Sequence, residues 1–175
     1  MRLALIAIVA ALAAAPALAQ EGAKPAAPAC AAMDASLPAD LKDWNGKAAI
    51  GSAPGAEHLG HAALTLGKGY EAGLLNTPKI SYPVQPEKPG GSVAHGGLFE
   101  FTVETAGSYT VALSSAAWID VIENGKAIKP ASFGHGPECT SIRKMVVFPL
   151  QPGKHTLQIS ANADPKMKIL VAKKS

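Results

Sequence analysis

Polar and apolar residues alternate most regularly after Gly96. Phe99, Phe101 and Val103 alternate with Glu100, Thr102 and Glu104, and after a turn at Ala106-Gly107 the apolar set continues as Tyr109, Val111 and Leu113. A two-residue period is the signature of a strand with one buried face. Trp118-Ile-Asp-Val-Ile-Glu123 reads as the next strand and ends at Asn124-Gly125. Asn-Gly between apolar runs marks a two-residue turn, because both central positions of a type I′ turn need positive φ. The alternation resumes through Val146, Phe148 and Leu150, turns at Pro152-Gly153, and continues in His155, Leu157 and Ile159. Aligned, Phe101 to Leu113 and Phe148 to Ile159 read as two versions of one hairpin. Met167, Ile169 and Val171 supply a last strand.

Upstream the pattern is weaker. Ala62 to Leu66, Tyr70 to Leu75 and Ile80 to Val84 read as short strands between Gly and Pro breaks, with Pro83 confining the last to an edge or irregular position. Asp40 to Trp44 predicts a single helical turn with Leu41 and Trp44 facing inward, Trp44 as a buried plug. Many short strands with no long helix predict an all-β fold, an antiparallel β-sandwich or jelly roll forming a single domain. The domain is expected over 41–175, and the pattern leaves open whether 47–91 completes the sandwich.

The first residues change the setting. Arg2, the apolar run Leu3 to Ala15 and Ala17-Leu18-Ala19 have the order of a signal peptide over 1–19. An Ala/Pro-rich arm follows over 20–40. No later run is long and apolar enough for a transmembrane helix, so a periplasmic or secreted protein is expected. The formal charge of +3 is too small to imply nucleic acid as a partner. Cys30 and Cys139 are the two cysteines. In an oxidising compartment an even count favours one disulfide, and the competing reading is a Cys–His metal site.

Phe101 to Leu113 and Phe148 to Ile159, with Trp118-Ile-Asp-Val between them, resemble the bacterial pre-peptidase C-terminal type of β-sandwich over about the last 80 residues. Such modules accompany secreted enzymes or bind ligands and are not themselves catalytic. No attached protease or other catalytic domain is expected here, a departure from that setting. Ala117-Trp-Ile-Asp-Val, together with Gly134 to Met145, is similar to small exported proteobacterial proteins often labelled homogentisate 1,2-dioxygenase. Dioxygenases of that name are longer cytosolic cupins with a two-His, one-carboxylate iron site. No residue here matches their motif, so no iron ligand is carried over.

Histidines are the main candidate chemistry. His58-Leu-Gly-His61 has a spacing that brings two imidazoles to one face of a helix. His95 precedes Gly96-Gly97, and His135 lies between Gly134 and Gly136. Such backbone freedom would let His95, His135 and Glu138 converge, as an iron site requires. The plainer reading is loop imidazoles and ordinary turns. Ser141, Arg143 and Lys144 offer donors to an anion. Asp120, set among Ile119, Val121 and Ile122, needs a partner if it faces inward. There is no G-x-S-x-G elbow, phosphate loop, dinucleotide fingerprint or H-E-x-x-H.

The expectation is an exported, non-catalytic β-sandwich without a cofactor. It would bind a small ligand or envelope protein through loops around His95 and His135 to Lys144. The alternative is a metal-dependent enzyme of the dioxygenase kind using Fe, Cu or Zn at His58, His61, His95, His135 or Glu138.

Overall fold

A computed structural model describes residues 30–175. The expected signal peptide and residues 20–29 of the arm lie outside the described residues. The strands are β1 (Ala48–Gly51), β2 (Ala63–Leu64), β3 (Gly69–Gly73), β4 (Leu75–Asn76), β5 (His95–Val103) and β6 (Gly107–Leu113). They continue as β7 (Trp118–Glu123), β8 (Lys126–Ala127), β9 (Ser132–Gly134), β10 (Lys144–Leu150), β11 (Gly153–Asn162) and β12 (Lys166–Lys173). Helix is confined, among the described residues, to 3-10 turns at Ala39–Leu41, Ala56–His61 and Thr77–Lys79.

Two sheets face each other. The first runs β1-β3-β12-β6-β10-β9; the second runs β2-β5-β11-β7-β8, with β4 also paired to β5. The protein is an all-β sandwich, antiparallel except where β1 joins β3 and β2 joins β5 in parallel. Residues 47–91 do contribute to it, because β1 to β4 extend both sheets on one side. Between the sheets lie Phe99, Phe101, Val103, Tyr109, Val111, Leu113, Val146, Phe148, Leu157 and Ile159, at most 4% exposed. The alternation read from the sequence therefore sorts these side chains to the correct face.

The two repeated segments are not hairpins. The chain leaves β5 in one sheet and enters β6 in the other, then crosses back in the opposite sense from β10 to β11. Each repeat is an arch over the sandwich edge, and the two arches pair with each other. Phe148 pairs with Tyr109 in the first sheet, and Phe101 pairs with His155 in the second. The corners are also tied alike. Tyr109 Oη donates to Thr105 O at 2.7 Å, and the His155 Nε2 to Gln151 O distance is 2.8 Å. Each ring thus reaches the carbonyl four residues upstream, an arrangement akin to a tyrosine corner. Alternation reports which face a residue takes, not which strand lies beside it, so arch and hairpin give the same pattern.

Asn124 and Gly125 have φ of 50° and 74°, as the turn between β7 and β8 requires. Ile80 to Val84 forms no strand. Pro83, Pro86 and Pro89 remove backbone donors, and the segment lies over the outer face of the second sheet. Side-chain bonds hold it there: Tyr82 Oη to Ile159 O (3.1 Å), Gln158 Nε2 to Val84 O (2.9 Å) and Ser160 Oγ to Lys88 O (2.8 Å).

The outer face of the first sheet is covered by the N-terminal arm. Leu41 and Trp44 are fully buried against Ala112, Ile142, Leu170 and Ala172. Trp44 Nε1 donates to Ser141 Oγ at 2.8 Å, and Asp34 receives both the Ser141 N–H and hydroxyl at 2.6 Å. Burial works to raise the Asp34 carboxyl, but these bonds and the Lys168 charge outweigh it and hold the group below its ordinary 3.8. Cys30 and Cys139 form a disulfide with Cα atoms 5.4 Å apart, clamping the arm to the same loop.

Candidate functional site

The sandwich is closed along one edge and open along the other. On the closed side Ala53 bridges to Leu98, and the 3-10 turn before Ala62 packs on β5. On the open side the sheets end in the short strands β8 and β9. Between them lies a cleft of about 470 Å³, within the range of small-molecule sites. Its apolar wall comes from Ile119, Ile128, Val146 and Phe148. Phe133, 80% exposed on β9, stands at its rim.

Local structure explains the polar residues at its mouth. Alternation along β7 turns Ile119 and Val121 inward and leaves Trp118 and Asp120 on the outer face. Trp118 Nε1 donates to Asp120 Oδ1 at 3.0 Å, and Gln158 Nε2 from neighbouring β11 donates to Oδ2 at 3.0 Å. Burial raises the Asp120 carboxyl above its ordinary 3.8, assisted by Glu87; those two donors and Lys144 work the other way. Burial also drives Tyr82, on the covering segment, up to about 12.

Two lysines converge on the indole. Lys88 Nζ lies 5.3 Å from the Trp118 ring centroid and Lys144 Nζ lies 5.5 Å from it. Lys144 Nζ also donates to Ala117 O at 2.7 Å. Its ammonium is held below its ordinary value, first by burial and then by the Lys88 charge, with Asp120 opposing. An aromatic face beside cations and an apolar slot can seat an amphipathic small molecule.

Of the expected site residues only Lys144 lines this cleft. Ser141 is committed to the arm through Asp34 and Trp44. Arg143 is exposed, and no ion pair joins it to Glu138 or Asp120 among the described residues. His135 Nδ1 lies 3.2 Å from Arg143 O, beyond the end of β9 in the first sheet. His95 belongs to the second sheet, where its ring meets Asn76 Nδ2 at 3.3 Å and Ala163 O at 3.2 Å. His58 and His61 share the exposed 3-10 turn, and His58 pairs with Glu57 at 2.9 Å. Glu138 is exposed beside the disulfide. These histidines and Glu138 are not gathered. Among the described residues no three His, Cys, Asp or Glu side chains form a metal-ligating group.

The sequence singles out Asp120 as a carboxylate in need of a partner, and the Trp118 indole is one of its two donors. Sequence reasoning misses Lys88, because nothing in the sequence says that the segment after Tyr82 folds back across β11. A second cleft, about 480 Å³, lies beside the β5–β6 arch near Leu64, Leu66 and Tyr109. Three of its polar side chains are engaged: Tyr109 with Thr105 O, Glu100 with Lys154 at 3.0 Å and Lys173 with Thr105 Oγ1 at 2.9 Å.

The fold and cleft define a disulfide-clamped all-β sandwich with one open edge. A solved structure similar to it is the pre-peptidase C-terminal domain of collagenase from Bacillus anthracis. The likeness has a TM-score of 0.39 and 15% identity, covering 62% of this chain and 91% of that one. That domain is of the kind the repeated motif resembles, and a likeness at this level carries nothing about function. No family model matches the chain, and no curated protein does.

Proposed function

We propose that this is an exported, non-catalytic binding protein of the periplasm or extracellular space, taking a small ligand in the open-edge cleft. The observation that carries the reading is the apolar slot beside Trp118, where Lys88 and Lys144 both approach the ring. The leader-like first residues and the disulfide support export. Among the described residues no helix is long and apolar enough to cross a membrane. A ligand in the cleft would be walled by Ile119 and Phe148, so burial of its apolar surface is the main driving force. The alternative metal-dependent enzyme has no specific observation in its favour.

Amide and methyl NMR shifts under a mixture of small aromatic and aliphatic solutes test the reading. Perturbations should centre on Ile119, Ile128, Val146 and Phe148. They should vanish in Ala116→Trp, which fills the mouth from an exposed position. Shifts scattered over the surface, or gathered at His95 and His135, would overturn it.

A further inference from the structure

We propose that the cleft recognises a small free acid, its carboxylate held by Lys88 and Lys144 and its apolar body between Ile119, Ile128 and Phe148. This rests on the cleft being the ligand site and adds the ligand's charge and class.

Four features argue for an anion. Both ammonium groups approach one indole ring, and the Lys88 charge repels that of Lys144. An arrangement of this sort is relieved by a negative charge between them. Among the described residues no carboxylate lies within 4.0 Å of either nitrogen, and Asp120 acts on Lys144 only from beyond that distance. Asp120 is nearby, and its oxygens each accept one bond elsewhere, from the Trp118 indole and the Gln158 amide. Finally, Lys144 spends one hydrogen on Ala117 O, and an ammonium has two more to donate.

The same surroundings limit the anion's charge. Glu87 is exposed on the covering segment and, with Asp120, adds negative potential near the mouth. A single carboxylate would meet less repulsion from that potential than a dianion. Behind the mouth the wall is Ile119, Ile128, Val146 and Phe148, with no charged side chain among them. It therefore suits a hydrocarbon or aryl body rather than a sugar or nucleotide.

Calorimetry and NMR on the disulfide-intact protein would compare octanoate with its neutral isostere octanamide and with octylamine. Octanoate should bind at the cleft at least tenfold more tightly than octanamide, with affinity falling as salt rises. Octylamine should bind more weakly still. Lys88→Gln lies on an exposed segment and should weaken octanoate severalfold without changing the unfolding midpoint. Lys88→Gln with Lys144→Gln should bring octanoate down to octanamide. Equal affinity for octanoate and octanamide, tighter binding of octylamine, or unchanged octanoate affinity in Lys88→Gln would overturn the acid assignment and leave the cleft as a ligand site. Failure of both octanoate and octanamide to perturb Ile119 and Phe148 would overturn the ligand site itself.

Discussion

The arch corners make a prediction in which two equivalent positions respond differently. In Tyr109→Phe the ring stays in the core and only the bond from Oη to Thr105 O is lost. Tyr109 is 2% exposed, whereas Thr105 is exposed, so water can reach the freed carbonyl. The expected loss is the net value of one hydrogen bond, about 1 kcal/mol, or roughly 3 °C in Tm for a chain of this size. At the equivalent place His155 is 1% exposed and stacks on Phe101 with centroids 5.5 Å apart. Gln151 O can only accept, so Nε2 carries the proton. Nδ1 is then buried with no hydrogen-bond partner, 3.9 Å from Glu123 Oε1. An unpaired buried polar atom costs about 1–3 kcal/mol. His155→Phe loses one bond but removes that liability, so its cost should be smaller than that of Tyr109→Phe.

Urea unfolding at neutral pH, followed by far-UV circular dichroism, measures both variants. Unchanged m-values would show that denatured-state compactness is not what moved. A Tyr109→Phe variant indistinguishable from wild type would mean that the hydroxyl does not tie the corner. If His155→Phe lost more than Tyr109→Phe, the argument from the unpaired Nδ1 would fail.

Other consequences can be measured on the same material. Reducing the Cys30–Cys139 bond, which spans 109 positions, should lower the urea midpoint, with loop-closure entropy setting a ceiling of about 4–5 kcal/mol. Trp44 emission should redden as the arm lifts, and an unchanged midpoint would refute the clamp. Asp120 and Asp34 should give opposite pH slopes. The Asp120 carboxyl is raised when folded, so its contribution is fullest below 3.8 and is lost as pH rises through its folded value. The Asp34 carboxyl is lowered, so its contribution is present above 3.8 and is lost as pH falls through its folded value. Stability profiles of Asp120→Asn and Asp34→Asn against wild type would show differences of opposite slope, and parallel slopes would refute whichever assignment has the other sign. Ala161 has φ of 56° at the β11 irregularity. Ala161→Gly should therefore gain about 0.5 kcal/mol in urea unfolding, the relief of left-handed strain less glycine's added entropy, and a loss would refute it.

Much of the sandwich was legible because its inner faces obey a two-residue rhythm wherever a strand is long. Phe99, Phe101, Val103, Leu157 and Ile159 are buried as read. The rhythm could not say that Phe101 and Tyr109 belong to different sheets, since that depends on the partner strand. It also failed for Ile80 to Val84, where apolar residues suggested a strand but prolines leave too few donors for a ladder. At the site, Trp118, Asp120 and Lys144 were individually visible. Their meeting with Lys88 depends on bonds from Gln158 and Ser160 to loop carbonyls, and no local pattern encodes those.

The cleft's position follows from how the chain distributes its strands. Among the described residues the strands before Gly91 all add to the side of β5 and β12, where β1 to β4 complete the sheets. On the other side each sheet has only a fragment to add, two residues in β8 and three in β9. β8 ends within three residues of Pro130, which cannot donate to a ladder. The inner side chains Ile119, Val146 and Phe148 thus lack the full covering strand that their counterparts on the closed side have. These three side chains are nonetheless only 1–6% exposed. The chain answers in part with Phe133 and Ile128 at the rim, and the remaining space is the cleft. Ligand-site geometry here is therefore a direct result of strand length, and lengthening β8 or β9 would close the cleft.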